Sequence, residues 1–338
     1  MSYSILLSGC GSAGMYVAQV AEHSGRARVT ALFDPAGEKL AAAGSLYPDA
    51  VSGNDLASLI TDARPDIVAV AGPDHLHADQ TILALDLGAH ALVEKPLATT
   101  VADARRVMDA AERTGLTVMA DHTIRYMYPW QEMSRAARSG EIGDIFFIQG
   151  DYIHDMWSIY QPGERRHTPW RIDGRNPQNI LLGGGCHPID NILSTVDSPV
   201  VEVFAYSSKM SVPEFPADDC YIVMLKFENG VLGKVFVSSG CSGHGMGGGM
   251  LAVYGTEGTL WNGKLYRRGL EPVTLPNVSD EAAVGGHGWG RSVIDFLDTL
   301  DGRIENPIPA RTGARVVAVC EAGLESIRTG QPQKPEWP

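Results

Sequence analysis

The sequence is short of basic residues, of patterned cysteines and of long apolar runs, and each shortage removes a class of function. Lys and Arg number 27 against 40 Asp and Glu, a formal net charge of -13. An extended nucleic-acid contact is therefore not expected, because phosphate binding rests on cations neutralising a polyanion. The same acidity disfavours an anionic membrane surface, although a local basic pocket for a small anion stays possible. The five cysteines, Cys10, Cys186, Cys220, Cys241 and Cys320, show no CxxC spacing. That pattern predicts reduced thiols and no zinc site of recognisable spacing. No segment offers the roughly 18 uninterrupted apolar residues of a membrane span. The apolar opening, Met1 to Val20, lacks a basic leader region and carries three glycines at motif spacing, so it reads as strand and turn rather than signal peptide. A cytoplasmic protein is expected.

What is present is ordinary globular material. With 44% hydrophobic and 20% charged residues the chain should fold throughout. Its 338 residues exceed the usual size of one core, which favours two domains. The first 120 or so alternate aliphatic runs (Ile5 to Ser8, Val29 to Phe33, Ile67 to Ala71, Ala89 to Val93, Thr117 to Ala120) with helix-period stretches (Ala13 to Ser24, Asp55 to Asp62, His77 to Leu87, Val101 to Thr114). This alternation predicts an α/β fold, a doubly wound parallel Rossmann sheet over residues 1–121. From 122 to 338 the texture changes. A helix-like Trp130 to Ser139 precedes polar–apolar alternation in Ile145 to Tyr152 and Tyr221 to Phe227, and Glu228 to Gly230 suits a hairpin leading into Val231 to Ser238. An α+β domain with an open, mostly antiparallel sheet is expected there, closed by helices over Arg291 to Leu300 and Gly313 to Thr329. Two loops, Asp155 to Asn179 and Gly240 to Gly249, are long enough to suggest function.

Gly9, Gly11 and Gly14 form GxGxxG between the first strand and first helix, and Asp34 stands twenty residues on, after the second strand. In that setting the glycines, with Ser12 and Ala13 opening the helix, predict a dinucleotide pyrophosphate site at a helix N-terminus. Asp34 would accept from ribose hydroxyls and repel a 2′-phosphate, and Pro35 and Ala36 supply no cation, so NAD is preferred and NADP disfavoured. Glu94-Lys95-Pro96 follows the fourth of these runs, Ala89 to Val93, at the edge where such sheets bind ligands. Arg125 in "HTIRYMYP" and Trp170 and Arg171 in the long loop suit a sugar's hydroxyls and apolar face, or alternatively inter-domain packing or a salt bridge. His122 and Tyr126 are further candidates. His75 with His77, and His187 with Asp190, lack a third ligand at recognisable spacing, so no metal is expected. Cys186 reads as a packing residue.

Together with the N-terminal motif, the EKP resembles the glucose-fructose oxidoreductase and inositol dehydrogenase (Gfo/Idh/MocA) family. Gly72 to Ala78 ("GPDHLHA"), His122 to Pro129, Gly183 to Asp190 ("GGGCHPID"), Tyr254 to Leu260 ("YGTEGTL") and the closing "EAGLESIRTGQP" extend the resemblance over nearly the whole chain. It implies an NAD-dependent dehydrogenase or reductase acting on a secondary alcohol of a sugar, sugar derivative or cyclitol, inositol dehydrogenase among the possibilities. Lys95 would hold the reacting oxygen and touch the nicotinamide ribose, beside Glu94. Pro73 and His77 match a cofactor-facing turn, and His187 would be the acid/base, oriented by Asp190 if the segment is helical. Homodimers or homotetramers, and a small sugar or polyol as substrate, are implied too. One departure stands out: where the family commonly carries an aspartate four residues before the histidine, this chain has Gly183. Asp190, Asp155 or Asp173 would have to substitute, or the proton path differs. A glycoside-processing enzyme working by transient oxidation and elimination, or a noncatalytic NAD-binding regulator, therefore stays open.

Overall fold

A computed structural model describes residues 2–212, 214–243, 251–277 and 288–338. Within them the chain forms two compact units, residues 1–123 with 280–314 and Pro338, and residues 124–279 with 315–337. Among the described residues no helix is long and apolar enough to cross a membrane.

The first unit runs β1 (Tyr3–Ser8), α1 (Ser12–His23), β2 (Ala27–Phe33), α2 (Gly37–Leu46), β3 (Val51–Gly53), α3 (Leu56–Ala63), β4 (Ile67–Val70), α4 (His77–Asp86), β5 (His90–Glu94), α5 (Val101–Thr114) and β6 (Val118–Asp121). Its six strands are all parallel, in the order β3-β2-β1-β4-β5-β6. The order reverses between β1 and β4, which makes the carboxyl ends of those strands the topological switch point of a doubly wound sheet. Burial explains the apolar runs: every residue of β4 and of β6 is buried, as expected where helices cover both faces. The helix ends are coded locally. Thr100 accepts from the Asp103 N–H to start α5, worth about 1 kcal/mol, and Gly115 ends it in the left-handed region at φ 67°.

Helix α9 (Trp289–Leu300) also belongs to this unit, although an undivided second half was expected. The reason is visible in its contacts. Trp289 stacks on Tyr16 of α1 at 4.7 Å and donates its indole N–H to Glu94 at 2.9 Å. Arg26 ion-pairs with Asp298 and Asp301 at 2.9 and 2.8 Å. Beyond α9 the chain reaches the open edge of β6, where the Ala120 N–H donates to the Ile308 carbonyl and the Asn306 amide to the Val118 carbonyl, both at 2.9 Å.

The second unit contains α6 (Trp130–Arg138), β7 (Ile145–Ile153), α7 (Trp157–Tyr160), α8 (Cys186–Thr195), β8 (Val200–Ser208), β9 (Cys220–Phe227), β10 (Leu232–Ser238), β11 (Leu251–Gly255), β12 (Thr259–Trp261), β13 (Lys264–Tyr266) and β14 (Val273–Thr274). Helix α10 (Ala310–Thr329) gives its first residues to the first unit and the rest to this one. The eight strands lie in the order β14-β13-β12-β11-β7-β10-β9-β8, antiparallel except for β10 beside β7. The predicted hairpin joins β9 to β10, with Gly230 at φ 90° in its turn. On one face of this sheet α8 packs on β7 and β10 and α6 on β11 and β12. The other face presents Tyr206, Ile222, Met224, Leu232 and Trp261, all exposed. The long loop from Asp155 holds α7 and a 3-10 turn, Pro169–Ile172. Most of the glycine-rich loop, residues 244–249, lies outside the described residues.

Candidate functional site

The GxGxxG turn sits at the switch point, and its three glycines do different work. Gly9 has φ 111°, and a Cβ there would lie 2.6 Å from the Ala71 carbonyl oxygen, so this strand end admits no side chain. A Cβ at Gly14 would overlap the Gly9 carbonyl, which fixes how tightly α1 packs on the turn. At Gly11 a Cβ would meet nothing within 4 Å. Protein packing does not demand that glycine, whereas a pyrophosphate approaching the backbone would. Ser12 and Ala13 open α1, whose N-cap, Gly11, makes no side-chain capping bond. Its first N–H groups are therefore oriented for an anion.

Asp34, at the end of β2, is buried and already positioned. Its Oδ2 accepts from the Cys10 N–H at 2.9 Å and its Oδ1 from the Ala36 N–H at 2.8 Å, which fastens the carboxylate to the glycine turn. Burial, with the charge of Asp34, pushes the Cys10 thiol up to about 12, so it is a packing group and not a nucleophile. Pro73 precedes the turn after β4. His77 is braced within the protein: Nδ1 lies 2.7 Å from the Pro96 carbonyl and Nε2 3.0 Å from that of Gly72. Its side chain ties the turn after β4 to the turn after β5.

Lys95 follows β5 directly, at the carboxyl edge. Glu94 beside it accepts from the Trp289 indole through Oε1 and from the Lys95 N–H, at 3.2 Å, through Oε2. The sequence reading missed its cross-strand neighbour, Asp121, which pairs in register with Glu94 and has no solvent exposure. The Ser292 hydroxyl donates to Asp121 Oδ1. Burial, then the charge of Glu94, holds the Asp121 carboxyl well above the usual range, against the pull of Ser292 and Lys95. A carboxylate ending the apolar run VMAD was the signal available. The folded state thus keeps a proton on Asp121 that the unfolded chain releases at lower pH. Its contribution is full below the usual carboxylate range and is lost as pH rises toward the raised value. Asp121→Asn is expected to flatten the decline of Tm as pH rises above the usual carboxylate range, followed by thermal melts. An unchanged slope would mean that Asp121 ionises as it does in the unfolded chain.

In the second unit, one π-helical turn, Leu181–Gly185, leads into α8. His187, 2% exposed, lies in the first turn of that helix with its ring stacked on Tyr152, centroids 5.7 Å apart at 24°. The Tyr152 hydroxyl bonds His154 Nδ1 at 3.2 Å. Asp190, expected to orient His187 or touch substrate, is turned to another partner. Its oxygens accept from Arg125 Nε at 2.8 Å and Nη2 at 2.5 Å, a bidentate pair that also engages Arg125, itself a substrate candidate. Asp155 accepts from the N–H groups of Trp157 and Gly243, and Asp173 ion-pairs with Arg175. Trp170 and Arg171 share the 3-10 turn of the long loop, the guanidinium lying over the indole at 4.7 Å. Tyr126 and His122 are both buried, as is Cys186.

A doubly wound sheet with a glycine turn and a fixed acid at its switch point defines a dinucleotide-binding Rossmann protein. Residues 3–122 match the oxidoreductase family with an NAD-binding Rossmann fold, and residues 130–261 match the GFO/IDH/MocA C-terminal domain. The chain belongs to this Gfo/Idh/MocA oxidoreductase family, and its first unit is an NAD-binding domain.

Among curated relatives, it is similar to a 1-carboxy-3-chloro-3,4-dihydroxycyclohexa-1,5-diene dehydrogenase of Comamonas testosteroni, 27% identical over 192 residues, 57% of this chain and 47% of that protein. It is also similar to a 1,5-anhydro-D-fructose reductase of Ensifer adhaerens, 24% identical over 287 residues, 81% of this chain and 80% of that one. The chain thus spans about half of the first and four fifths of the second. Among solved structures, the WlbA dehydrogenase of Bordetella pertussis in complex with NADH and UDP-GlcNAcA shares the fold at a TM-score of 0.85, 22% identical, over 98% of this chain and 97% of that one.

Proposed function

We propose that the protein transfers a hydride between NAD and a secondary alcohol of a sugar, sugar derivative or cyclitol. Lys95 carries the reading: a cation placed directly after β5, at the edge where a doubly wound sheet binds its ligands. NAD, when bound, accepts or returns the hydride. Gly9, Gly11, Gly14 and the α1 N-terminus would hold its pyrophosphate, and Asp34 the adenosine ribose, where its carboxylate disfavours a 2′-phosphate. Lys95 would stabilise negative charge growing on the substrate oxygen, and His187 would take the hydroxyl proton in oxidation or return it in reduction. The names of the two curated relatives, one acting on a ring diol and the other on a sugar ketone, support this substrate class.

The test is NADH formation by the purified protein with NAD against inositols, aldoses and glycosides, with NADP in parallel. Turnover of a ring polyol with NAD is expected. Release of aglycone without NADH accumulation would replace this reading with oxidation and elimination, and NAD binding with no turnover at all would favour a regulator.

The proposal extends to assembly. The exposed apolar face carrying Tyr206, Ile222, Met224, Leu232 and Trp261 is read as the surface by which two copies pair, giving a homodimer or homotetramer. Ile222→Glu combined with Met224→Lys should shift the sedimenting species to a monomer. A wild-type chain that already sediments as a monomer would refute the assignment.

A further inference from the structure

The glycine run before α8 shows what stands where the family resemblance led one to expect an aspartate. A Cβ at Gly183 would overlap the side-chain amide of Gln178, and one at Gly184 would lie 2.5 Å from the Tyr152 ring. The place beside residue 183 is thus filled by Gln178, itself 2% exposed, whose Oε1 accepts from Arg171 Nη1. Arg171 is held on two sides, by this bond and by the Trp170 ring. Its Nε is buried with no hydrogen-bond partner, and no carboxylate among the described residues forms an ion pair with it. Burial pushes the Tyr152 hydroxyl up and the charges of Arg171 and Arg166 pull it back, so both cations act on the ring that stacks against His187. Of the three acids that might have balanced Arg171, Asp190 holds Arg125 and Asp173 holds Arg175, while Asp155 accepts from backbone N–H groups and feels the charge of Arg166.

We propose that Arg171, clamped by Gln178 in the space a side chain at position 183 would need, receives an anionic group, carboxylate or phosphate, on the sugar or polyol bound at His187. A guanidinium fork with a spare buried donor suits such oxygens, and a charge-assisted hydrogen bond is stronger than a neutral one. Exchanging an acid for an amide and leaving a cation unbalanced turns this wall from one that repels anions into one that selects them. The inference rests on the reading of His187 as the reacting site.

The test uses the NADH-loaded protein and calorimetric binding of D-glucuronate, D-glucose 6-phosphate and D-glucose, so that it reads affinity without requiring turnover. At least one anion is expected to bind ten or more times tighter than glucose, and whichever does so identifies the group. Arg171→Gln should reduce that preference by about 10- to 100-fold. Gln178→Glu, nearly isosteric, should abolish it by pairing with Arg171 while leaving Tm close to wild type. Equal affinity for all three compounds, or a preference that survives both substitutions, would overturn the proposal. Anion binding through Arg171 without any turnover would instead count against the oxidoreductase reading and leave this one standing.

Discussion

Alanine in place of His187 is expected to lower turnover by about 10²- to 10⁴-fold, the usual contribution of a general acid or base. Imidazole is suited to the task because its ordinary range brackets neutral pH, so it can accept the alcohol proton in one direction and return it in the other. The structure holds this ring in one place, 2% exposed and stacked on Tyr152 at 5.7 Å. Holding the ring fixed limits the positions from which a substrate oxygen can meet its nitrogens, which is the geometric half of acid–base catalysis. A packing role alone would show itself differently. His187→Ala would then lower Tm while kcat stayed within a few-fold, and the pH profile of the surviving activity would keep its shape. The decisive measurement is kcat across pH for wild type and variant, on samples shown by melts to be folded at the assay temperature. Near-normal turnover would remove His187 from the mechanism.

Lys95→Met should cost about 10²- to 10³-fold in kcat, comparable to removing an oxyanion donor from a water-poor site. Methionine keeps the length and most of the volume of the stem, so the change isolates the charge. As hydride leaves the substrate carbon, the attached oxygen moves toward carbonyl through an alkoxide-like state, and a cation beside it lowers that barrier more than it stabilises the resting alcohol. NAD affinity should change much less, because the glycine turn and Asp34 lie on other strands of the sheet and make their own contacts. Kinetics with saturating NAD and titration of NAD binding together make the distinction. Activity within tenfold of wild type would return Lys95 to the status of a surface residue before a turn.

The first unit was mostly legible because its code is local and periodic. Fully buried parallel strands read as apolar runs, caps such as Thr100 mark helix starts, and the glycine turn has its own spacing. Helix α2 and strand β3 were not predicted, and their burial says why: α2 buries only Ala43, and β3 is a three-residue edge with no buried position. Neither carries the periodicity that sequence reading depends on. In the second unit the alternating strands β7 and β9 and the hairpin were readable, but the partners of buried charge were not. That Asp190 would meet Arg125, 65 positions away, or that Gln178 would fill the space beside Gly183, follows from tertiary packing alone. The same holds for Asp121, whose raised carboxyl comes from a cross-strand neighbour and a serine 171 positions distant.

The return of residues 288–314 to the first unit bears on how that unit can be isolated. Cut after Thr123, the nucleotide-binding half would keep all six strands but lose Trp289 from Glu94, Ser292 from Asp121 and the cover that Asn306 and Ile308 give to the outer edge of β6. An uncovered edge strand is a template for pairing with other chains. Such a fragment should therefore precipitate or self-associate, whereas one that carries the later segment on a short tether should stay dispersed: here the unit of folding is a discontinuous stretch of gene.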